Sequence, residues 1–99
     1  MIGSTLKSYN PNRIIVSNIH FRSTVDDLFA IFRPFGTITE MRLMLNERNE
    51  SKGYAFITYA RQADSVIAIR EMNGFRIFGR EIKVGWPNSD YKVSNIEMV

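Results

Sequence analysis

A chain of 99 residues with 44% hydrophobic and 23% charged side chains has the composition of one small globular domain, which excludes a disordered tail and two independent cores. The absence of cysteine excludes a disulfide framework, a thiolate metal site and cysteine catalysis. No apolar run approaches the ~18 residues of a membrane span, and we expect no secretory leader. The net charge is +3, and the chain carries seven Phe, four Tyr and one Trp, more large rings than so small a core needs.

The net positive charge is concentrated in two separated segments, 1–22 and 75–86, while the segments between and after them are close to neutral. Nine of the thirteen basic residues are arginines, whose guanidinium groups pair with phosphate through two hydrogen bonds and stack on bases. The alternative is ordinary solvated surface charge. The fold decides between the two interpretations, because the two segments form one basic surface only if it brings them together.

The first half of the chain predicts a strand, a helix and a second strand. Residues 1–11 are small and polar and predict a flexible lead-in, and the β-branched run 13–19 predicts a strand. Ser23 or Thr24 can cap a helix whose apolar stripe ends at Pro34 and Gly36. Partial alternation over 38–45 predicts the second strand, and the polar stretch that follows it predicts a turn.

The second half repeats this order. Residues 52–60 alternate clearly and predict a strand, and 62–72 carry Val66, Ile69 and Met72 at helical spacing. A turn-rich connection or small hairpin leads to a fourth strand over 81–86.

The resulting order, β-α-β-β-α-β, predicts an α+β ferredoxin-like fold: a four-stranded antiparallel sheet with two helices packed on one face. Right-handed crossovers place strands 13–19 and 52–60 side by side at its centre. We expect the folded domain to span 12–87, with a C-terminal tail over 88–99. The sheet face without helices is then left uncovered.

Alternation along the strand 52–60 places two large aromatic rings on the side that faces solvent. Gly53 and Ala55 suit the face where helices approach, so the rings of Tyr54 and Phe56 point to solvent. Exposing each ring forgoes roughly 2 kcal/mol of burial free energy. A platform for stacking bases explains this arrangement, since every base has a π-face. The alternatives are an inverted register or a tail that covers the rings.

Two stretches resemble the RNA recognition motif (RRM) family. The octamer pattern K/R-G-F/Y-G/A-F-V-x-F/Y is met by Lys52-Gly53-Tyr54-Ala55-Phe56-Ile57-Thr58-Tyr59. The accompanying hexamer on the first strand is matched by Ile14-Ile15-Val16-Ser17-Asn18-Ile19. The likeness covers about residues 12–87 and implies a single-stranded RNA-binding domain without catalysis or cofactor.

The resemblance assigns roles to individual residues. Tyr54 and Phe56 would contact bases or sugars, Lys52 would pair with a phosphate, and Tyr59 would lie in the core. The family commonly has an aromatic residue where this chain has Ile15, so one stacking position is lost. The other ligand-facing residues expected from strand alternation and strand ends are Arg13, Asn18, Arg42, Met44, Lys83 and Trp86. Trp86 has an equal alternative, packing against the end of the sheet.

Several finer expectations and alternatives remain. The stretch 84–88 is similar to the first RRM of poly(U)-binding splicing factors of the half-pint type, which implies pyrimidine-rich RNA, mRNA processing or splicing and a nuclear location. Arg76-Ile77-Phe78 resembles the loop of peptide-binding RRM relatives. We also expect a monomer, with Phe29, Val66 and Ile67 either at the edge of the core or forming a patch for a protein partner. The sequence does not distinguish RNA from single-stranded DNA as the ligand.

The remaining aromatic residues divide between core and loops. We expect Phe21, Phe32 and Phe35 in the core, whereas Phe75 and Phe78 lie in a connection. His20 is expected to be a loop residue, because an acylphosphatase-like enzyme would need a glycine-rich anion loop where this chain has 20–24.

Overall fold

The computed structural model describes residues 10–87. The elements in chain order are strand β1 (Arg13–Ser17), helix α1 (Val25–Phe32), a 3-10 turn (Arg33–Phe35), strands β2 (Ile38–Leu45) and β3 (Ser51–Tyr59), helix α2 (Gln62–Met72), strands β4 (Arg76–Ile77) and β5 (Arg80–Glu81), and strand β6 (Lys83–Gly85). The predicted bounds of β2 and α2 are confirmed. The expectations for residues 1–9 and for the tail 88–99 lie outside the described residues.

The main sheet has the strand order β2-β3-β1-β6, and all its neighbours are antiparallel. This confirms the ferredoxin-like prediction and the central pairing of β1 with β3. The connection after α2 forms the β4–β5 hairpin as a separate two-stranded sheet. The last main strand is shorter than the predicted 81–86, because the Ile82 backbone N–H donates to the Phe75 carbonyl oxygen at 2.9 Å instead of pairing with β1.

The core lies between the helices and one face of the sheet. It contains Ile14, Val16, Ala55, Ile57 and Tyr59 from the central strands, with Leu28 and Phe32 from α1 and Ala68 and Met72 from α2. The Tyr59 hydroxyl donates to the Phe32 carbonyl oxygen at 2.7 Å. Burial raises the pKa of Tyr59 above its ordinary value, and the charge of Asp64 raises it further. The hydroxyl therefore stays protonated and keeps its hydrogen bond, as a core residue requires.

Helix α1 begins with a complete capping box at Thr24. The Asp27 backbone N–H donates to Thr24 Oγ1 at 3.1 Å, and the Thr24 N–H donates to the Asp27 carboxylate at 3.0 Å. Two of the helix's otherwise unpaired N–H groups are thereby satisfied. Of the two predicted caps, Thr24 is the one used, while Ser23 is buried.

The buried face of α2 differs from the predicted stripe. Ser65, Ala68 and Met72 are buried, and Val66 is 43% exposed. The reason is a long-range hydrogen bond: Ser65 Oγ donates to the Asn12 carbonyl oxygen at 2.7 Å, which turns Ser65 toward the sheet. Val66 and Ile67 are therefore exposed on the helical side, and Phe29 of α1 is exposed there as well. Within residues 10–87, no helix is both long and apolar enough to cross a membrane.

Candidate nucleic-acid interface

The strand register arranges the open face of the sheet in three rows. Because neighbouring strand residues point to opposite faces and Ile14, Val16, Ala55 and Ile57 face the core, their alternates share the open face. The rows are Lys83–Ser17–Tyr54, then Gly85–Ile15–Phe56–Arg42, then Arg13–Thr58–Glu40. The predicted placement of Tyr54, Phe56, Arg42 and Lys83 on the open face is thus what the register shows.

A groove of about 650 Å³ lies at the Tyr54 row and extends past the end of β1. Its wall combines two rings, two aliphatic side chains, polar groups and two cations. The principal lining residues are Ile15, Ser17, Phe21, Lys52, Tyr54 and Arg80. Such a groove suits a flat aromatic group attached to an anionic backbone.

A bulge in β3 shapes this groove. Lys52, Gly53 and Tyr54 lie opposite the single β2 residue Met44, which is half-buried. Gly53 has a φ of +88°, in the region that favours glycine. A Cβ at this position would lie 3.5 Å from the nearest atom, the Ile19 carbonyl oxygen. The glycine is therefore required by backbone conformation, and the expected crowding by the helices is wrong.

The expectation that both β3 rings are exposed is wrong for Phe56. Tyr54 is half-buried, but only 7% of Phe56 is exposed although it lies on the open face. The Tyr54 ring meets Phe56 edge-on at 5.9 Å between centroids, and the Arg13 guanidinium carbon lies 6.0 Å from the Phe56 centroid. Both neighbours lie on the sheet face that carries no helices and contribute to covering the ring. Phe56 is thus part of the support of the face, and Tyr54 is its accessible ring.

Arg13 is not a free cation. Its Nη2 lies 3.2 Å from Glu40 Oε1, and its Nε donates to Thr58 Oγ1 at 3.4 Å. The third row is therefore closed by an ion pair between β1 and β2. The predicted phosphate contact of Arg13 has to compete with Glu40.

Asn18 is engaged inside the chain rather than available to read bases. Its Nδ2 donates to the Glu81 carbonyl oxygen at 2.7 Å, and its Oδ1 accepts a hydrogen bond from Arg80 Nη2. Arg80 Nε also donates to the Asn18 carbonyl oxygen at 3.4 Å. Asn18 adopts a φ of +60°, which asparagine tolerates better than most residues. The arrangement holds the Arg80 guanidinium at the groove, so Arg80 replaces Asn18 as the candidate contact.

The other predicted site residues divide into exposed cations and packed side chains. Lys52, Arg42 and Lys83 are exposed, and Ile15 is half-buried in the groove wall. Trp86 is half-buried and packs against the core cluster, as the packing alternative expects. Arg13 from the first basic segment and Lys83 from the second thus lie on one sheet face, together with Arg42 and Lys52 from the part of the chain between them.

Phe21 is the clearest residue that sequence reasoning missed. Its predicted core position is wrong: the side chain is 74% exposed, whereas Ile19 and Ser23 of the same loop are buried. The Phe21 ring stacks on His20 with centroids 4.6 Å apart and an interplanar angle of 24°. Because it lines the groove together with Tyr54, Phe21 adds a second accessible ring to the interface.

Residues 14–83 match the RNA recognition motif family. The chain belongs to this family. The match contains both motifs on the central strands and all elements from β1 to the start of β6.

Named relatives agree with this assignment. The human probable RNA-binding protein 23 is 41% identical over 76 residues, which are 76% of this chain and 17% of that protein. Sex determination protein fox-1 of Caenorhabditis elegans is 42% identical over 74 residues, 75% of this chain and 17% of that protein. A solved SXL-lethal protein/RNA complex has a TM-score of 0.74 and 32% identity, covering 76% of this chain and 46% of that one. The chain thus spans less than a fifth of both curated relatives.

Proposed function

We propose that this domain binds single-stranded RNA on the open sheet face, centred on the groove beside Tyr54. The observation that carries the proposal is an accessible ring on the wall of a groove that also contains Lys52, Arg80 and a second ring, Phe21. The SXL-lethal protein, which is similar to this chain, has been solved with RNA, and this supports the same class of ligand.

Each part of the groove has a role in this mechanism. A base stacks on Tyr54 while Lys52 and Arg80 neutralise adjacent phosphates. The aliphatic Ile15 gives van der Waals contact but no π-face, so fewer bases are stacked on the sheet. Phe56 supports the edge of the Tyr54 ring. Arg42 and Lys83 are exposed at either side of the face and extend the basic surface along the backbone of the RNA.

The proposal includes a cellular setting and a domain organisation. We propose an RNA-binding domain over 12–87, flanked by 1–11 and 88–99, that acts as a monomer in mRNA processing in the nucleus. Pyrimidine-rich RNA and splicing rest on the resemblance of residues 84–88 to poly(U)-binding splicing factors. A protein partner would use the helical side, where Phe29, Val66 and Ile67 are exposed.

The test is a titration of the domain with labelled eight-nucleotide U-, A-, C- and G-rich RNAs, each repeated with the DNA counterpart. Stacking of one base on an aromatic ring contributes about 1–3 kcal/mol, so Tyr54→Ala should weaken binding of the preferred RNA at least about fivefold. Phe29→Ala is the matched control, because this ring is 43% exposed on α1 and should leave RNA affinity unchanged. Absence of binding to every RNA, or equal affinity of the parent and Tyr54→Ala, would contradict the proposal.

A further inference from the structure

We propose that Phe21, His20 and Phe78, here called the ring series, form a second base-binding platform, which holds a nucleotide flanking the segment on the sheet. The inference rests on the proposed function and extends it beyond the sheet to the β4–β5 hairpin. Three observations carry it: the continuity of the ring series with the groove, the conformation of Phe78 and the charge around the hairpin.

The ring series is continuous from the groove to the tip of the hairpin. Phe21 lines the groove and stacks on His20 at 4.6 Å. The other neighbour of His20 is Phe78, whose centroid is 5.8 Å away at an interplanar angle of 53°. Phe21 and Phe78 are 74% and 54% exposed. A strand of RNA that leaves the groove past Phe21 therefore meets aromatic surface rather than solvent.

Phe78 occupies a position that phenylalanine does not favour. It forms a two-residue hairpin turn with Gly79, and their φ angles are +51° and +82°, between the paired residues Ile77 and Arg80. Two positive φ angles define a turn that prefers Asn-Gly, and a bulky residue in the left-handed region is strained. Since the ring is also more than half exposed, Phe78 stabilises neither its turn nor the core, and its placement indicates a ligand.

The charges around the hairpin favour a phosphodiester chain. Arg76 Nη1 donates to the Gly79 carbonyl oxygen at 2.9 Å, so one guanidinium is held across the turn. Arg80 is held at the groove by Asn18. His20 Nδ1 accepts the Arg22 backbone N–H at 3.0 Å, which places the proton of the neutral ring on Nε2. Glu81 is the nearby acid, and the cations outnumber it. A nucleotide uses both features, its base on the rings and its phosphate on the arginines.

The decisive variant is Phe78→Asn, because it separates folding from binding. Asparagine suits the turn better than phenylalanine, so the thermal midpoint should stay the same or rise. Affinity for a nine-nucleotide RNA of the preferred composition should fall about fivefold or more, since one stacked base is lost. Affinity for a three-nucleotide RNA, which covers only the groove, should not change. A residue with a merely structural role would not combine equal or higher stability with weaker binding of the long RNA alone.

The control is Phe29→Asn, which removes a similarly exposed ring from α1 and should change neither affinity. Equal binding of both RNAs by the parent and by Phe78→Asn, with Tyr54→Ala still weakened, would overturn the platform and leave the proposed function intact. A loss of the same size for the short and long RNA would also overturn it, because Phe78 would then act through the groove.

Amide and ring resonances of His20 and Phe78 provide a second measurement. They should shift with the long RNA and stay unchanged with the short one. Shifts caused only by a Trp-containing basic peptide would make the ring series a peptide site and overturn the inference. Failure of the parent to bind any RNA would instead contradict the proposed function itself.

Discussion

The two ends of the open sheet face differ in whether their aromatic rings and cations are accessible. At the open end, formed by Ser17, Tyr54 and Lys83, the ring lines a groove and the lysine is exposed. At the closed end, Arg13, Thr58 and Glu40 form the third row and Phe56 lies beside it in the middle row. There the ring is 7% exposed and the arginine is paired with the acid. The ends lie on the same strands and share one alternation.

The difference teaches that the neighbours across the strands, and not the strand pattern, decide which ring is available. Phe56 and Tyr54 have the same orientation on β3, but Phe56 is flanked by the Arg13 guanidinium. An arginine held by a carboxylate covers a ring and offers less positive charge to a phosphate. Arg80, held by the neutral Asn18 side chain, keeps its charge for the ligand.

The largest expected effect concerns the stability of the closed end. Phe56→Ala should lower the free energy of unfolding by about 3 kcal/mol, because it removes a nearly buried ring. Tyr54→Ala removes a half-buried ring whose environment is more open, and should lower the same free energy by about half as much or less. Urea unfolding of both variants measures the contrast. Equal losses would show that the two ends do not differ in burial.

The next effect concerns the open end. Asn18→Gly keeps the left-handed backbone and removes the side-chain hydrogen bond to Arg80 Nη2, while the backbone carbonyl that accepts from Arg80 Nε remains, so RNA affinity should fall about fivefold. Arg80→Ala should cause at least the same loss. In the Arg80→Ala background, Asn18→Gly should have no further effect on affinity, because Asn18 acts through Arg80; a double-mutant cycle measures this coupling. Additive losses would make Asn18 an independent contact.

A smaller effect should follow from releasing the arginine of the closed end. Glu40→Gln frees Arg13, and since exposed ion pairs contribute up to roughly 1 kcal/mol, RNA affinity should rise about two- to fivefold. If Arg13 then binds a phosphate, the logarithmic salt dependence should steepen by about 0.7. Glu71→Gln is the matched control, because Glu71 lies 3.8 Å from Arg70 on α2, away from the sheet face. Unchanged affinity of Glu40→Gln would show that the pair does not limit RNA binding.

The smallest effect near neutral pH is a pH dependence of the unfolding free energy, which comes from Tyr59 on the core side of β3. Burial and then Asp64 raise the pKa of Tyr59 in the folded state, whereas the unfolded phenol titrates near pH ~10. Above that pH the unfolded state loses a proton that the folded state retains, so stability should fall as the pH rises. Tyr59→Phe removes this contribution. The difference in unfolding free energy between parent and variant, measured from pH 7 to pH 11, should narrow above pH ~10.

Local sequence patterns predicted the fold and the orientation of the strand residues. The bounds 38–45 and 62–72 coincide with β2 and α2, because period-two and period-3.6 patterns are local properties of the chain. The orientation of Tyr54 and Ala55 followed for the same reason. Which residues share a row across the sheet then depends only on how the strands pair.

The parts that the sequence did not predict depend on contacts between distant residues. Phe56 lies beside a guanidinium that a β1–β2 ion pair holds, in which Arg13 and Glu40 are separated by 27 positions. Arg80 is held at the groove by hydrogen bonds to Asn18, which lies 62 positions away in the sequence. Phe21 is exposed although it is apolar, and no periodicity applies within a loop. The one available signal for Arg80 was its position in the basic segment 75–86.

The alternation along β3 also limits how the chain can change in length. Ala55, Ile57 and Tyr59 belong to the core, and Tyr54, Phe56 and Thr58 belong to the open face. One inserted residue between Ala55 and Tyr59 would exchange the two sets on one side of the insertion, so hydrophobic packing and the ligand surface would be lost together. Length variation among homologues should therefore be found in the connections between elements, such as the turn at 46–50 and the β4–β5 hairpin, where an added residue moves no main-sheet strand out of register.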